Sequence, residues 1–157
     1  MSNRSAKVRR GELRDLETIV DFNSRMATET EHLALDRATL TDGVRAALVD
    51  ENKGIYFVAE LDGRVVGQLM ITHEWSDWRN GDIWWIQSVY VHPDYRKGGV
   101  FRSIFTEVEA SARAAGAVGV RLYVEKENHS AQQTYERLGM KITDYLIAEK
   151  MLSPATS

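Results

Sequence analysis

The sequence contains no cysteine, and only 2 of its 157 residues are proline. The absence of cysteine excludes disulfide bonds, thiolate metal sites and a cysteine nucleophile, and it fits a reducing compartment. No apolar run approaches the length of a membrane span, and the N-terminus lacks the apolar region of a signal peptide. We therefore expect a cytoplasmic protein with no membrane partner.

The chain also has little excess of either charge, with a formal net charge of −3. This balance gives no general basis for nucleic-acid binding, and none is expected. The 4 histidines show no metal-ligand spacing, so no metal site is predicted. The length and the 43% of hydrophobic residues predict one globular domain over residues 1–157, with its core between about residues 6 and 152.

The hydrophobic periodicity predicts elements in the order β, α, α, three strands, α, β, α, β. Asp62-Gly63 is the dipeptide that most favours a type I′ hairpin turn between two of these strands. We expect a final strand or hairpin over Lys141–Met151. The predicted fold class is α/β (α+β), with a mixed, mostly antiparallel central sheet flanked by helices on both faces.

Two local signals refine this outline. Ser130 with Gln133 matches a capping box that opens a short helix, and Gly139 suits the end of that helix. The polar segment Met26–Asp36 separates the first two helical patterns and could line a substrate entrance.

Residues 87–102 are the most informative stretch. An apolar strand runs into a turn that contains Arg96, Lys97, Gly98 and Gly99, and an amphipathic helix follows at once. This arrangement directs unpaired backbone N–H groups, the positive end of a helix dipole and cationic side chains at one point. Such a point binds a pyrophosphate, so the sequence predicts a phosphate-bearing cofactor.

With these elements placed, the chain resembles the GNAT superfamily of acetyl-CoA-dependent N-acetyltransferases. The central motif of that superfamily is Arg/Gln-x-x-Gly-x-Gly/Ala after a strand. Here it reads Arg96-Lys97-Gly98-Gly99-Val100-Phe101, with phenylalanine where the last small residue is usual. Downstream, Asn128-x-x-Ala131-x-x-x-Tyr135-x-x-x-Gly139-Met140 matches the second half of the family pattern. Either motif alone is weak, and the two in order are strong.

The resemblance implies acetyl-CoA as the cofactor. It assigns the pyrophosphate to the turn after the strand, formed by Arg96, Lys97, Gly98, Gly99, Val100, Phe101 and Arg102. It assigns the pantetheine arm to the backbone of Val89, Tyr90 and Val91, beside Asn128 and Ala131. Binding of an extended arm to strand backbone is a form of β-augmentation and needs no particular side chains.

The resemblance further implies direct attack of a primary amine, on a small molecule or peptide, on the bound thioester. Tyr135 stands at the position of the general acid that serves the leaving thiolate. A backbone N–H near Val91 would stabilise charge on the thioester oxygen. Many relatives carry glutamate where Gln87 stands, so the general base is open. Gln87 could hold a water that passes the proton to Glu74, Asp77 or solvent, and Glu74, at the end of the preceding strand, is the preferred base among these.

All 4 tryptophans lie between Trp75 and Trp85. Trp75, Asp77 and Trp78, together with Gln87, could wall a substrate pocket for a cationic amine. Contact between two copies of the chain competes equally for this loop, because aromatic residues are enriched at interfaces. A homodimer is therefore one expected assembly.

Other functions stay open beside N-acetyl transfer. The alternative is a non-catalytic acyl-CoA-binding regulatory module, because Gln87 stands where a carboxylate is common. A nucleotide-binding domain of another kind is disfavoured, since the turn lacks the spacing of a P-loop. The sequence does not identify the acceptor amine.

Overall fold

The computed structural model of the protein describes residues 5–153. The strands in that range are β1 (Lys7–Arg10), β2 (Ile55–Leu61), β3 (Arg64–Ser76), β4 (Gly81–Val91) and β5 (Gly119–Leu122). The helices are α1 (Leu16–Glu31), α2 (Arg37–Val49), α3 (Val100–Ala114) and α4 (His129–Arg137), with short 3-10 turns at Leu13–Asp15 and Pro93–Tyr95. The predicted order of elements is confirmed as far as α4. None of these helices has the length and apolar content that crossing a membrane requires.

The strands form one sheet in the order β1-β2-β3-β4-β5. Neighbours from β1 to β4 are antiparallel, and β4 pairs with β5 in parallel. Helix α3 packs on one face over a cluster that includes Phe57 and Leu69, and α1 and α2 cover the other face around Val44 and Val58. This is the mixed, mostly antiparallel sheet with helices on both faces that the sequence predicts.

Turns and helix ends follow their glycines. Asp62 and Gly63 both have positive φ, 53° and 74°, which confirms the type I′ turn between β2 and β3. Gly139 has a φ of 92° just after α4, and the Met140 N–H returns to the Tyr135 carbonyl at 3.0 Å. This left-handed C-cap confirms that Gly139 closes the helix.

The predicted capping box of Ser130 and Gln133 is wrong. Helix α4 begins at His129, and Asn128 is its N-cap, with the side-chain oxygen accepting from the Ala131 N–H at 3.1 Å. Asparagine caps a helix as well as serine does. Ser130 therefore lies inside the first turn.

The predicted final strand over Lys141–Met151 is also wrong for the single chain. No strand forms there, and every described residue after Met140 is exposed. Tyr145 and Leu146 are 89% and 93% exposed. The β-type sequence pattern is present, but a strand exists only beside a partner, and this segment does not lie along β5.

Candidate active site

Strand β4 contains a bulge near its end. Ser88 and Val89 both face the single residue Leu69 of β3, because the pairing register shifts there. Ser88 adopts a left-handed φ of 55° to accommodate the extra residue. A bulge bends its strand and often lies next to an active site. Nothing in the sequence predicts this one.

Beyond the bulge, β4 has no strand on its second side. The β4–β5 ladder runs from Ile83 opposite Gly119 to Ile86 opposite Leu122, whereas β4 continues to Val91. The His92 N–H donates to the Val66 carbonyl of β3 at 2.8 Å. Since backbone groups alternate in an antiparallel ladder, the N–H and C=O of Val91 point away from β3, into this gap. The same alternation directs the backbone of Val89 there.

The end of β4 is tied to α1 through charged groups. Arg96 donates from Nε to the Val91 carbonyl at 2.8 Å and from Nη2 to Glu29 at 3.0 Å. Tyr90 donates its hydroxyl to the other oxygen of Glu29 at 3.1 Å. The hydrogen bond from Arg96 holds the pKa of Glu29 below its usual value, so this carboxylate stays ionised. Arg96, predicted to bind the cofactor, therefore has its guanidinium bound within the chain.

The glycine turn opens α3 without a side-chain cap. Gly99 is the N-cap residue, at a φ of 83°, and no described side chain bonds to the first turn. A Cβ on Gly99 would meet nothing within 4 Å, so the space in front of the helix is open. The first turn contains no acidic residue, and Lys97 and Arg102 flank it. Free N–H groups, a positive dipole end and two cations fit an anionic group here.

Phe101 turns away from this open space. Its ring lies 6.0 Å from the Phe105 ring and 5.7 Å, edge to face, from the Tyr135 ring of α4. The phenylalanine that departs from the family motif thus joins α3 to α4. Burial raises the pKa of Tyr135, and its hydroxyl forms no hydrogen bond with another described residue. At neutral pH this hydroxyl is protonated and available to donate.

A cavity of about 510 Å³ lies on the opposite face of the sheet, between α1, α2 and the strands. Its floor includes Tyr56, Met70 and Ser88 of the bulge, and its polar wall includes Thr30 and Glu31. Met26 and Leu35 also line the cavity, so part of the segment Met26–Asp36, predicted as a substrate entrance, borders it. Glu31 is the only carboxylate among the described residues that line this cavity.

A buried polar group fixes the bulge beneath the cavity. Gln68 is fully buried, and its Nε2 donates to the Ser88 carbonyl at 3.1 Å and to Asn23 Oδ1 at 3.5 Å. Asn23 in turn donates to the Tyr56 hydroxyl at 3.4 Å. A glutamine within an apolar strand is the one sequence signal that could have drawn attention to this site.

Comparison with known proteins places this geometry in a family. Residues 16–140 match the model of the acetyltransferase (GNAT) family. The chain belongs to the GNAT family. A possible acetyltransferase from Clostridium difficile 630 is 45% identical in sequence, with a TM-score of 0.87 over 96% of this chain and 100% of that one.

Two more distant structures share the GNAT fold. A predicted acetyltransferase with acetyl-CoA from Clostridium acetobutylicum has a TM-score of 0.77 at 17% identity, over 94% of this chain and 97% of that one. A ribosomal-protein-alanine N-acetyltransferase from Brucella melitensis has a TM-score of 0.76 at 15% identity, over 95% and 100%. At these identities the likeness concerns the fold.

Within this GNAT fold, two contacts join predicted cofactor residues. Arg96 before the glycine turn donates to the Val91 carbonyl of β4, and Phe101 at the start of α3 contacts the Tyr135 ring of α4. Asn128 uses its side-chain oxygen as the helix cap, so its amide N–H₂ is the part left for a ligand. Ala131, in the first turn of α4, is half-buried.

The residues predicted for the base and the acceptor are spread more widely. Gln87 donates to Thr72 at 2.9 Å, and Glu74 accepts from Arg121 at 2.6 Å. Glu74 lies four residues along β3 from Met70, the partner of Gln87, which is roughly 13 Å in an extended strand. The structure therefore does not bring Glu74 and Gln87 together.

The tryptophan-rich turn between β3 and β4 lies at the opposite end of β4 from Val91. Trp75 and Trp78 are 62% and 89% exposed, and Asp77 accepts from the Trp78 N–H within the turn. This turn begins β4, whereas Val91 ends it. Neither the tryptophans nor Asp77 line the cavity at Ser88. Among residues 5–153, no three His, Asp or Glu side chains come together as metal ligands.

Proposed function

We propose that this GNAT-family chain binds acetyl-CoA and transfers the acetyl group to a primary amine of a small molecule or peptide, in a ternary complex without an acyl-enzyme. The observation that carries the proposal is the open, uncapped start of α3 beside the gap between β4 and β5. The gap exposes strand backbone on one side, and Tyr135 contacts Phe101 in the first turn of α3. Bound acetyl-CoA supplies the acetyl group as a thioester.

The cofactor contacts divide between backbone and side chains. The N–H groups of Gly99–Arg102 would hold the pyrophosphate, helped by the charges of Lys97 and Arg102. The backbone of Val89 and Val91 would pair with the pantetheine arm, as a strand pairs with a sheet edge. The Val91 carbonyl already accepts from Arg96, so its N–H is the group left for the thioester oxygen.

Tyr135 is the proposed general acid. Its pKa is raised by burial, which keeps the proton on the hydroxyl at neutral pH. A protonated phenol hydroxyl close to the sulfur can hold the leaving thiolate by a hydrogen bond or protonate it. The Phe101 ring packs edge to face against the Tyr135 ring at 5.7 Å.

The acceptor amine would enter from the cavity that meets Ser88. An alkylamine has a pKa of about 10.4 and arrives protonated. Glu31 can attract that cation, and a water on Gln87 can carry the proton towards Glu31 or solvent, in place of the predicted transfer to Glu74. A role for Trp75, Asp77 and Trp78 in binding an outer part of the acceptor stays a prediction.

The second candidate is the non-catalytic acyl-CoA-binding module. It is favoured by one observation: Gln87 and Glu74, which are predicted to take part in removing the amine proton, are bonded to Thr72 and Arg121. The two functions share the cofactor site and differ in turnover.

Release of free thiol from acetyl-CoA, followed with a panel of primary amines, separates the two. We expect amine-dependent release, with Tyr135→Phe lowering kcat by about a hundredfold and leaving the KM for acetyl-CoA nearly unchanged. Arg102→Ala should raise that KM, whereas its matched control at the other end of α3, Arg113→Ala, should not. Tight binding of acetyl-CoA without release by any amine would support the binding module instead.

A further inference from the structure

The C-terminal part of the fold is incompletely covered. After Ala112 no described residue is buried, although β5 and α4 both follow it. Helix α4 has no buried residue along its length. Val118 and Tyr123, at the two ends of β5, are 44% and 60% exposed. A strand and a helix that belong to one sheet normally bury one face each.

The chain itself contains a segment suited to cover this region. Residues 145–148 read Tyr-Leu-Ile-Ala, so consecutive side chains on both faces of an extended chain are apolar. Such a run is typical of a strand buried on both faces. Yet Tyr145, Leu146 and Ile147 are 89%, 93% and 59% exposed, and Leu152 is 93% exposed. No backbone hydrogen bond joins this segment to the rest of the described chain.

The two edges of the sheet differ in how they are protected. Strand β1 is short and has Lys7, Arg9 and Arg10 among its four residues, which discourages pairing with another chain. Strand β5 ends the sheet on the other side, and its only charged residue is Arg121. Arg121 is held against Glu74 and the Trp85 ring, so it does not guard the edge.

We propose that residues 145–152 of each copy pair with the free edge of β5 in a second copy, so that two chains exchange their last strands. Met140 is the last residue packed on its own core, and the segment then leaves that core. When a two-fold axis relates two copies, the segment of each copy can pair with the β5 edge of the other, so both edges and both segments are paired. The exchange buries apolar residues that are exposed in the single chain.

The exchange has a consequence for the site. In the single chain, α4, which holds Tyr135, has no buried residue. A partner strand beside β5 would extend the sheet at this less covered end of the fold. We expect the dimer to be the form in which α4 is rigid.

The absence of cysteine gives a clean cross-linking test. One chain carries Tyr123→Cys, just after β5. A second chain, with a tag of different mass, carries Tyr145→Cys, Ile147→Cys or Glu149→Cys. The first chain is mixed with each of the second and oxidised. We expect a covalent heterodimer for at least one scanned position, because neighbouring strands bring Cα atoms within disulfide range. The matched control, Lys7→Cys on the opposite edge, should give none.

The oligomeric state provides the second readout. The full chain should sediment as a dimer, and the chain truncated after Asp144 as a monomer. Should the truncated chain fail to fold, Leu146→Asp with Ile147→Asp tests the same contact in a full-length chain, with at least tenfold weaker self-association expected. The proposal is overturned by a full chain that stays monomeric, by a dimer that survives these changes, or by a disulfide that forms only within one chain carrying both cysteines.

Discussion

The two ends of the sheet are built differently. Between β1 and α3 the sheet and its helices enclose two apolar clusters, with Phe57, Leu69 and Ile104 at 1%, 0% and 0% exposure. From β5 onwards nothing described is buried, and the last twelve or so described residues leave the sheet. The first region is a well-packed scaffold, and the second holds Tyr135 and the strand that ends beside the gap next to β4. The scaffold is stabilised by its own core, and the site region depends on what binds to it.

The largest expected difference concerns core packing. Ile104→Ala should lower the free energy of unfolding by about 3 kcal/mol, because it leaves a cavity between α3 and the sheet. Leu138→Ala, at the end of the half-buried helix α4, should cost about 1 kcal/mol. Urea denaturation of both variants measures the two costs. Equal losses would mean that the two regions are equally well packed.

A smaller difference concerns charge in the scaffold. Arg9 binds the buried Asp15 at 2.8 Å and also Glu60, which joins β1 to its neighbours. Burial would raise the pKa of Asp15, but the hydrogen bonds from Arg9 and the Glu12 N–H outweigh it and lower that pKa below 3.8. Asp15→Asn should therefore cost about 2 kcal/mol near neutral pH, because it removes hydrogen bonds to a charged group.

The pH dependence follows from the sign of that shift. Because the folded pKa is depressed, the stabilisation is complete above about pH 4 and is lost as the pH falls through the folded value. The difference between the wild type and Asp15→Asn should shrink on acidification. Asp21→Asn, which breaks the exposed pair with Arg37, should cost less than about 0.5 kcal/mol at any pH. A constant penalty for Asp15→Asn down to low pH would contradict the account.

The smallest expected loss of stability concerns two matched glycines, one after each of two helices. Gly116 after α3 and Gly139 after α4 have φ of 81° and 92°, and a Cβ would touch nothing at either. Alanine should therefore cost about 1 kcal/mol of backbone strain at each position. Amide hydrogen exchange should show that Gly116→Ala weakens the whole scaffold, whereas Gly139→Ala speeds exchange in α4 alone. Identical exchange patterns would remove the distinction between the regions.

The sequence predicts the scaffold well because its signals are local. Asp62-Gly63 sets a hairpin, and the repeating apolar residues of α3 set its buried face. The glycine turn could be located because the strand, the glycines and the helix follow one another directly in the sequence. The bulge at Ser88 could not be predicted, since it depends on the register between β3 and β4 and on the buried amide of Gln68. The failure at Lys141–Met151 has the same cause, because pairing is a property of two strands.

For the residues predicted as acid and base, too, the sequence indicates candidates, and their contacts depend on the fold. The resemblance assigns the acid role to Tyr135 from its place in the family motif after Asn128, whereas its contact with Phe101 required the fold. Gln87 and Glu74 are predicted to share a proton path, but the β3–β4 register separates them, and Thr72 and Arg121 bind them. The cavity lined by Glu31 depends on helix packing that no local pattern describes.

The most direct test is an NMR titration of the isotope-labelled chain with acetyl-CoA, followed at the backbone amides. The account predicts that the strongest shifts occur at residues 97–103 and at Val89 and Val91, with smaller shifts in α4 and none at the hairpin turn near Trp78. Saturating acetyl-CoA that leaves the amides at the start of α3 unmoved would contradict it.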